Sequence, residues 1–391
     1  LSEVTMKTEH DYPYSASAML YFSNIKDACR AVVAMKPGPV FSAELLDKKS
    51  LASVNDTTGT GLTAVLTETK ADTPEELQAN IEEIKKILSP FETVTPIHFT
   101  DKPEEYSKYW AIRSGIFPSV GGTRRPGTTV LIEDVAFPLK ELPEATADLQ
   151  ELLVTNEYHD ACIYGHALEG NFHFIISQSF DSPEQVARYE KLMDEVKTLV
   201  VDKYDGSLKA EHGTGRNMAP FVKYEWGERA YGFMKAVKEL FDPKGLLNPG
   251  VIFNEDPHCH LKHFKPMPLT NAHVDKCIEC GFCEVNCLTC GFSLSSRQRI
   301  VIQREISRLK KLSDTESSER LKTLQKQYKY LGNATCAGDG LCSMSCPMGI
   351  NVGDLTHDIR QANLPEKSIG YKTGDFVANH FAETKSALRP V

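Results

Sequence analysis

The stretch CIYGHALEGNFHFIISQ occupies residues 162–178. Two apolar runs, Cys162–His166 and Phe172–Gln178, flank Glu169 and Gly170, a dipeptide suited to a two-residue hairpin turn. Pairing across that turn matches Leu168 with Asn171, Ala167 with Phe172, and His166 with His173. Directly opposed side chains lie about 5 Å apart at Cβ and share a face, so both imidazoles can reach one cation. Taken alone, the segment suits two unrelated strand histidines equally well. Outward from the hairpin, helical patterns run over Leu142–Glu157 and Pro183–Val201. Between residues 15 and 140, the β-rich runs Ala18–Phe22, Thr63–Thr67 and Val130–Phe137 alternate with helical stretches. One helix starts at Asp72-Thr73-Pro74 with Glu75 and Glu76, and carries Ile81, Ile84, Ile87 and Leu88 as its stripe. Helix–strand–strand–helix, twice over, predicts an α+β class: a ferredoxin-like antiparallel sheet with helices on one face.

Composition narrows the function classes. The chain has 391 residues and a net charge of −9, which argues against a nucleic-acid binder. No run approaches the roughly 18 apolar residues of a membrane helix. Of 11 cysteines, an odd number, eight fall between Cys277 and Cys346. Clustering in a large acidic chain points to metal and a reducing, cytoplasmic setting rather than a disulfide scaffold. Leu1 is not a start Met and no signal-peptide pattern follows, so the expectation is an excised piece whose N-terminal neighbour is missing. Three zones are expected: 1–257, a Pro- and His-rich linker over 258–270, and a helical zone over 271–391.

In that last zone Cys277, Cys280, Cys283 and Cys287 are spaced C-x2-C-x2-C-x3-C, and Cys336, Cys342 and Cys346 are spaced C-x5-C-x3-C before Pro347. Three thiolates at the first pitch can wrap one iron–sulfur cube while the fourth reaches a second cluster. Zinc would want two C-x2-C pairs without a third cysteine at the same pitch. The tail resembles the helical ferredoxin-type iron–sulfur domain of succinate dehydrogenase and fumarate reductase subunits. That resemblance implies a [4Fe–4S] cluster on Cys277, Cys280, Cys283 and Cys346. It implies a second cluster, [3Fe–4S] or [4Fe–4S], on Cys287, Cys336 and Cys342, with Cys290 and Asp339 both open as a fourth ligand. Leu288 departs from the family, which usually has Pro there. Cys29, Cys162 and Cys259 read as small buried hydrophobes. The His258, Cys259, His260 and His263 group reads as an extended linker rather than a metal site.

A second segment bears on the hairpin. Ala210-Glu211-His212-Gly213-Thr214-Gly215-Arg216 puts an acid, an imidazole, glycines and a guanidinium within seven residues, which suits close approach to a ligand. With GHALEGNFH, Trp110 to Arg113, Glu133 to Pro138, and LFDPKGLLNPG (240–250, containing Asn248), it resembles the flavin-linked oxidase family. That family includes D-lactate dehydrogenase, glycolate oxidase and D-2-hydroxyglutarate dehydrogenase. More closely, the chain is similar to the bacterial form that continues into an iron–sulfur tail. The resemblance implies FAD held chiefly by a preceding α/β domain or chain, with Asn248 at the cofactor. It implies a divalent metal, zinc or manganese, on His166, His173 and Glu211. It implies His212 as the catalytic histidine, Arg113 as the holder of the substrate carboxylate, and Arg216 as a further catalytic residue. Glu169 stands where other members have Asp, and Ile132 where some have a substrate-contacting Lys, so no single relative dictates the substrate.

The expected reaction is oxidation of a D-2-hydroxy acid, D-lactate first, with electrons leaving through two clusters to a quinone, cytochrome or electron-transferring protein. A glycolate or 2-hydroxyglutarate dehydrogenase, or an electron-transfer subunit without substrate chemistry, are the competing expectations. Arg297 to Lys329 holds ten Lys and Arg against four Asp and Glu. A solvated helix pair is the simplest reading of that span, docking of an acidic partner or anionic lipid the more specific one, and peripheral association with the inner membrane face a further expectation.

Overall fold

The computed structural model describes residues 3–54, 59–365 and 368–387. It divides into two compact units, Leu1–Met267 and Pro268–Val391.

The first unit is built on six strands: β1 (Tyr14–Phe22), β2 (Ser42–Leu46), β3 (Thr63–Ala71), β4 (Thr129–Ala136), β5 (Cys162–His166) and β6 (Asn171–Gln178). Their spatial order is β1-β3-β2-β5-β6-β4, and every pairing is antiparallel. Helices α1 (Ile25–Met35), α3 (Pro74–Leu88), α5 (Leu142–Thr155) and α6 (Pro183–Lys197) complete two strand–helix–strand–strand–helix halves, with short α2 (Lys48–Ser53) and long α4 (Pro103–Thr123) as additions. The helices begin where capping chemistry dictates. Thr73 and Ser182 each accept the N3 backbone N–H, and Pro follows each as the first helical residue.

Alternation along the strands defines two faces. Leu20, Phe22, Leu45, Val65, Ile163, Phe172 and Phe174 turn toward α1, α3, α5 and α6. Met19, Tyr21, Leu46, Leu66, Cys162, Tyr164 and Ile175 turn the other way, onto Leu51 of α2 and Ile116 and Val120 of α4. The expectation of helices on one face is therefore corrected. Strands such as β1, apolar at consecutive positions from Met19 to Phe22, need cover on both sides.

The hairpin also differs in register. Tyr164, not His166, pairs with His173, and Cys162 pairs with Ile175. Ala167–Glu169 form a single 3-10 turn because Ala167 and Leu168 are buried in the core and pull the chain inward. Gly170 closes it at φ +70°, where a Cβ would stand 2.3 Å from the Phe137 carbonyl oxygen. The slip is two residues, so both histidines keep the same face.

Helix α7 (Gly215–Phe241) follows the Glu211 segment and breaks at Gly227. The start of the expected linker packs onto the first unit. Cys259 is buried with its thiol against the Arg216 carbonyl, and Phe264 stacks on Phe180 at 3.8 Å.

Among its described residues the second unit is helical without a named strand. Its helices are α8 (Ser296–Leu309), α9 (Thr315–Tyr328), α10 (Val352–Ala362), α11 (Ile369–Asn379) and α12 (Phe381–Ala387). A reciprocal Ser295–Gln298 cap starts α8. No described helix is long and apolar enough to cross a membrane.

Candidate functional site

The hairpin histidines, the sheet neighbours of β5 and β6, and the Glu211 segment meet on the sheet face that carries α4. His166 Nε2 and His173 Nε2 each stand 3.1 Å from the same oxygen, Glu211 Oε1. The two imidazoles meet edge to face with centroids 5.5 Å apart. One ligand atom from each of the three residues falls within 4.8 Å of the others. Two imidazole nitrogens and one carboxylate oxygen form the donor set of a catalytic zinc or manganese site with an open position, so the residues fit the metal that the motif implies.

Sheet register supplies partners behind this triangle. Glu44 of β2 pairs directly with His166, and its carboxylate accepts from His166 Nδ1 at 2.6 Å and from Arg113 Nε at 2.9 Å. Burial opposes its ionisation, but the His166 hydrogen bond and the Arg113 charge outweigh burial and hold Glu44 below the usual carboxylate range. The Glu44 hydrogen bond in turn raises His166. On the other side, Asp134 of β4 pairs with His173 in register. Asp134 is fully buried. Its Oδ2 accepts the backbone N–H groups of Glu211 and His212 at 2.7 and 2.8 Å, and its Oδ1 accepts Asn171 Nδ2 at 2.6 Å. His173 Nδ1 lies 3.5 Å from the same carboxylate. Against the cost of burial, these donors hold Asp134 well below its ordinary value. Asp134 thus fixes the turn that presents Glu211.

Arg113 extends from α4, with its guanidinium 5.0 Å from the centroid of the Tyr164 ring. His212 stacks on His173 at 4.6 Å, nearly parallel. Burial first, and the neighbouring His173 imidazole after it, lower His212, which leaves a neutral ring able to accept a proton. Glu44 and Asp134 were not assigned from the sequence. The signal available for Glu44 was a lone acid inside the short apolar run 42–46.

In the second unit, Cys277 and Cys342 are buried in a small core with Val274, Ile300 and Val352, and Cys283 and Cys346 pack against it. Gly281 takes φ +87° between Cys280 and Cys283, a conformation that lets the loop fold back on itself. Burial pushes the Cys277 thiol up to about 11, and burial, with the nearby Cys346, Cys342 and Cys280 sulfurs, raises Cys283. Cys287, Cys336 and Cys342 line one small solvent-open cleft, together with Asp339 and Arg299. Cys290 is exposed and lies outside that lining. Burial resists ionisation of Cys287, but hydrogen bonds around Thr289 and Ser296 and the Arg299 guanidinium prevail and lower it. Among the described residues no three cysteines bring their sulfurs within 4.8 Å of one another. The seven cysteines of the two runs form an all-sulfur donor set, which is the set an iron–sulfur cluster takes.

Residues 13–252, more than half of the chain, match the family described as "FAD linked oxidases, C-terminal domain". The chain belongs to the FAD-linked oxidase family. Residues 273–350 match a "4Fe-4S dicluster domain". The mitochondrial D-lactate dehydrogenase (cytochrome) of Arabidopsis thaliana is 28% identical over 66% of this chain and 45% of its own length. Glycolate oxidase subunit GlcD of Bacillus subtilis (strain 168) is 25% identical over 60% of this chain and 50% of its own. D-2-hydroxyglutarate dehydrogenase of Stutzerimonas stutzeri (strain A1501) is 33% identical over 31% of this chain and 26% of its own. The FAD-linked oxidase chain thus spans about half the length of the first two of these curated relatives.

Not every expected site residue of this FAD-linked oxidase chain joins the cluster. Arg216 opens α7 with an exposed side chain, and no hydrogen bond or ion pair ties its guanidinium to the histidines among the described residues. Asn248 sits at φ +43° in the exposed turn after α7, a turn held by Asp242, which accepts the Leu246 and Leu247 N–H groups. The structure brings neither to the triangle. His258 pairs with Glu190 and His260 packs edge-on to Phe221, so the linker histidines diverge.

Proposed function

We propose that this chain is the substrate-binding and electron-exit part of a flavin-linked D-2-hydroxy-acid dehydrogenase, with D-lactate as the expected substrate. The observation that carries the reading is the His166, His173 and Glu211 triangle with Arg113 on one side and His212 on the other. Arg113 offers a planar fork to the substrate carboxylate. Glu44 orients that fork through Nε and leaves the guanidinium end free to bind. His212, uncharged and stacked, accepts the hydroxyl proton. His166, His173 and Glu211 would hold a divalent ion, which when bound lowers the pKa of the substrate hydroxyl. FAD, held elsewhere, supplies the hydride acceptor for Cα. The cysteines of the second unit would hold two clusters that pass electrons singly to a quinone, cytochrome or electron-transferring protein. The names of the relatives support the 2-hydroxy-acid class, and D-lactate is the choice among them.

Chelation of the full-length, flavin-loaded protein should abolish D-lactate oxidation, and zinc or manganese should restore it while cluster absorbance stays constant. Full activity in the metal-free enzyme would assign the three residues a structural role.

A further inference from the structure

Helix α8 carries two buried arginines, Arg299 and Arg304, five residues apart. At 3.6 residues per turn they leave the helix about 140° apart, toward different cysteine loops. Arg304 reaches the first loop. Its Nη1 donates to Glu279 Oε1 at 2.5 Å and its Nη2 to the Cys277 carbonyl at 2.9 Å, so a carboxylate balances its charge.

Arg299 reaches the other loop, and among the described residues its guanidinium pairs with no carboxylate, Asp339 lining the same cavity without an ion pair to it. Nε donates to the Gly332 carbonyl at 2.6 Å, and Nη2 donates to Thr289 Oγ1 at 2.9 Å and Thr335 Oγ1 at 3.1 Å. Nη1 points at Cys287 Sγ, 3.6 Å away. Among the described residues no ion pair involves Arg299, and its side chain lines the cavity shared by Cys287, Cys336 and Cys342. The Nε and Nη2 bonds account for a structural strap across residues 289 and 332–335. They do not account for a buried positive charge without a fixed anion, which is unfavourable unless the site itself brings negative charge. Thiolates holding iron are such a charge.

We propose that Arg299 sets the reduction potential of the centre held by Cys287, Cys336 and Cys342, and makes that centre the resting place of an electron shared with the other. The inference rests on the two-cluster reading above. Potentials of such centres follow net charge, hydrogen bonds to sulfur and exposure. Reduction adds one negative charge, which the unbalanced Arg299 stabilises, whereas Glu279 cancels the equivalent cation at the first loop. One electron leaves one centre and enters the other, and no bond or proton changes. Cys280 is exposed, so solvent acts on the first centre as well. A variant comparison isolates the contribution of Arg299.

The test is a redox titration of the full, iron-loaded chain, followed by electron paramagnetic resonance, for wild type, Arg299→Lys, Arg299→Gln and Arg299→Met. Iron content is measured first. Absence of stoichiometric iron in the wild type would defeat the underlying reading and not the role of Arg299. With iron in place, Gln and Met should lower the second centre by at least a tenfold change in its one-electron equilibrium, 59 mV, and leave the first centre unmoved. Lys, which keeps the charge, should retain most of the wild-type potential. A change below twofold in Gln and Met, an equal fall in Lys, or loss of the second centre's iron from all three variants would overturn the proposal.

Discussion

Replacing Asp134 by Asn should loosen the segment that presents Glu211 while leaving the sheet intact. Asp134 accepts three hydrogen bonds, two of them from the backbone N–H groups of Glu211 and His212, with His173 Nδ1 3.5 Å away. An amide keeps one oxygen. With that oxygen on the two backbone donors, its NH₂ group must face Asn171 Nδ2, itself a donor that also serves the Val135 carbonyl. One charge-assisted hydrogen bond is lost outright, and two others lose their charge. At about 1.5–3 kcal/mol for a bond to a charged group, the net loss is about 2–4 kcal/mol. The apolar core on the opposite face, Phe172 and Phe174 included, is untouched, so the loss appears as local opening. Native-state hydrogen exchange reads it directly. Protection of the Glu211 and His212 amides should fall about 30- to 700-fold, at 1.4 kcal/mol per tenfold. Affinity for a divalent ion should fall by roughly 10–100-fold with it. Unchanged protection at those two amides, in a variant with native circular dichroism, would refute the reasoning.

Arg113→Ala and His212→Ala should fail differently in the full-length flavoenzyme. The first loses about 1.5–3 kcal/mol of carboxylate binding and chiefly raises KM. The second loses a proton acceptor and lowers the single-turnover rate of flavin reduction by about 10²–10⁴-fold; a wild-type rate there would remove His212 from the role of base. Asp47 is buried, and burial pushes its carboxyl from 3.8 up to about 6, despite Ser50 donating its N–H and Oγ–H at 2.8 Å. A raised folded pKa favours the protonated form, so this group's contribution to stability is present below about pH 4 and lost as pH rises through 6, by about 3 kcal/mol. Asp47→Asn keeps the acceptor and removes the cost. Its stability advantage in urea unfolding should therefore grow between pH 4 and 6 and level off above, whereas a constant difference would point away from ionisation.

What could be read from the sequence was what is local. The strands of the hairpin, the Thr73 and Ser182 helix starts and the cysteine spacings all depend on residues within a few positions of one another. The His166 and His173 pair was visible for the same reason, although the buried Ala167 and Leu168 shifted its register. Helix α4 was hidden by Pro103, Pro118 and five glycine-or-serine positions from residue 114 to residue 122. Strand β2 was hidden by its brevity and by Glu44 in an apolar run. Glu44 and Asp134 find their functional meaning 122 and 77 residues away, in His166 and the Glu211 backbone, and no periodicity reports such distances. The one-face expectation failed because strands covered on both sides show no polar alternation to mark the second layer.

The seam between β2 and β5 joins the two halves of the sheet through three paired residues, Glu44 to Leu46 with His166 to Tyr164, where β1 and β3 share nine. Each half can gather around shorter-range contacts, but this seam must close a loop of more than a hundred residues before its few bonds offset the lost chain entropy. Glu44 is then expected to meet His166 after the folding barrier, with a φ-value near zero, whereas core positions such as Phe174 should score higher. The chemistry would thus be the last part of the first unit to assemble in time, and a bound cation, acting only on the finished seam, would slow unfolding without hastening folding.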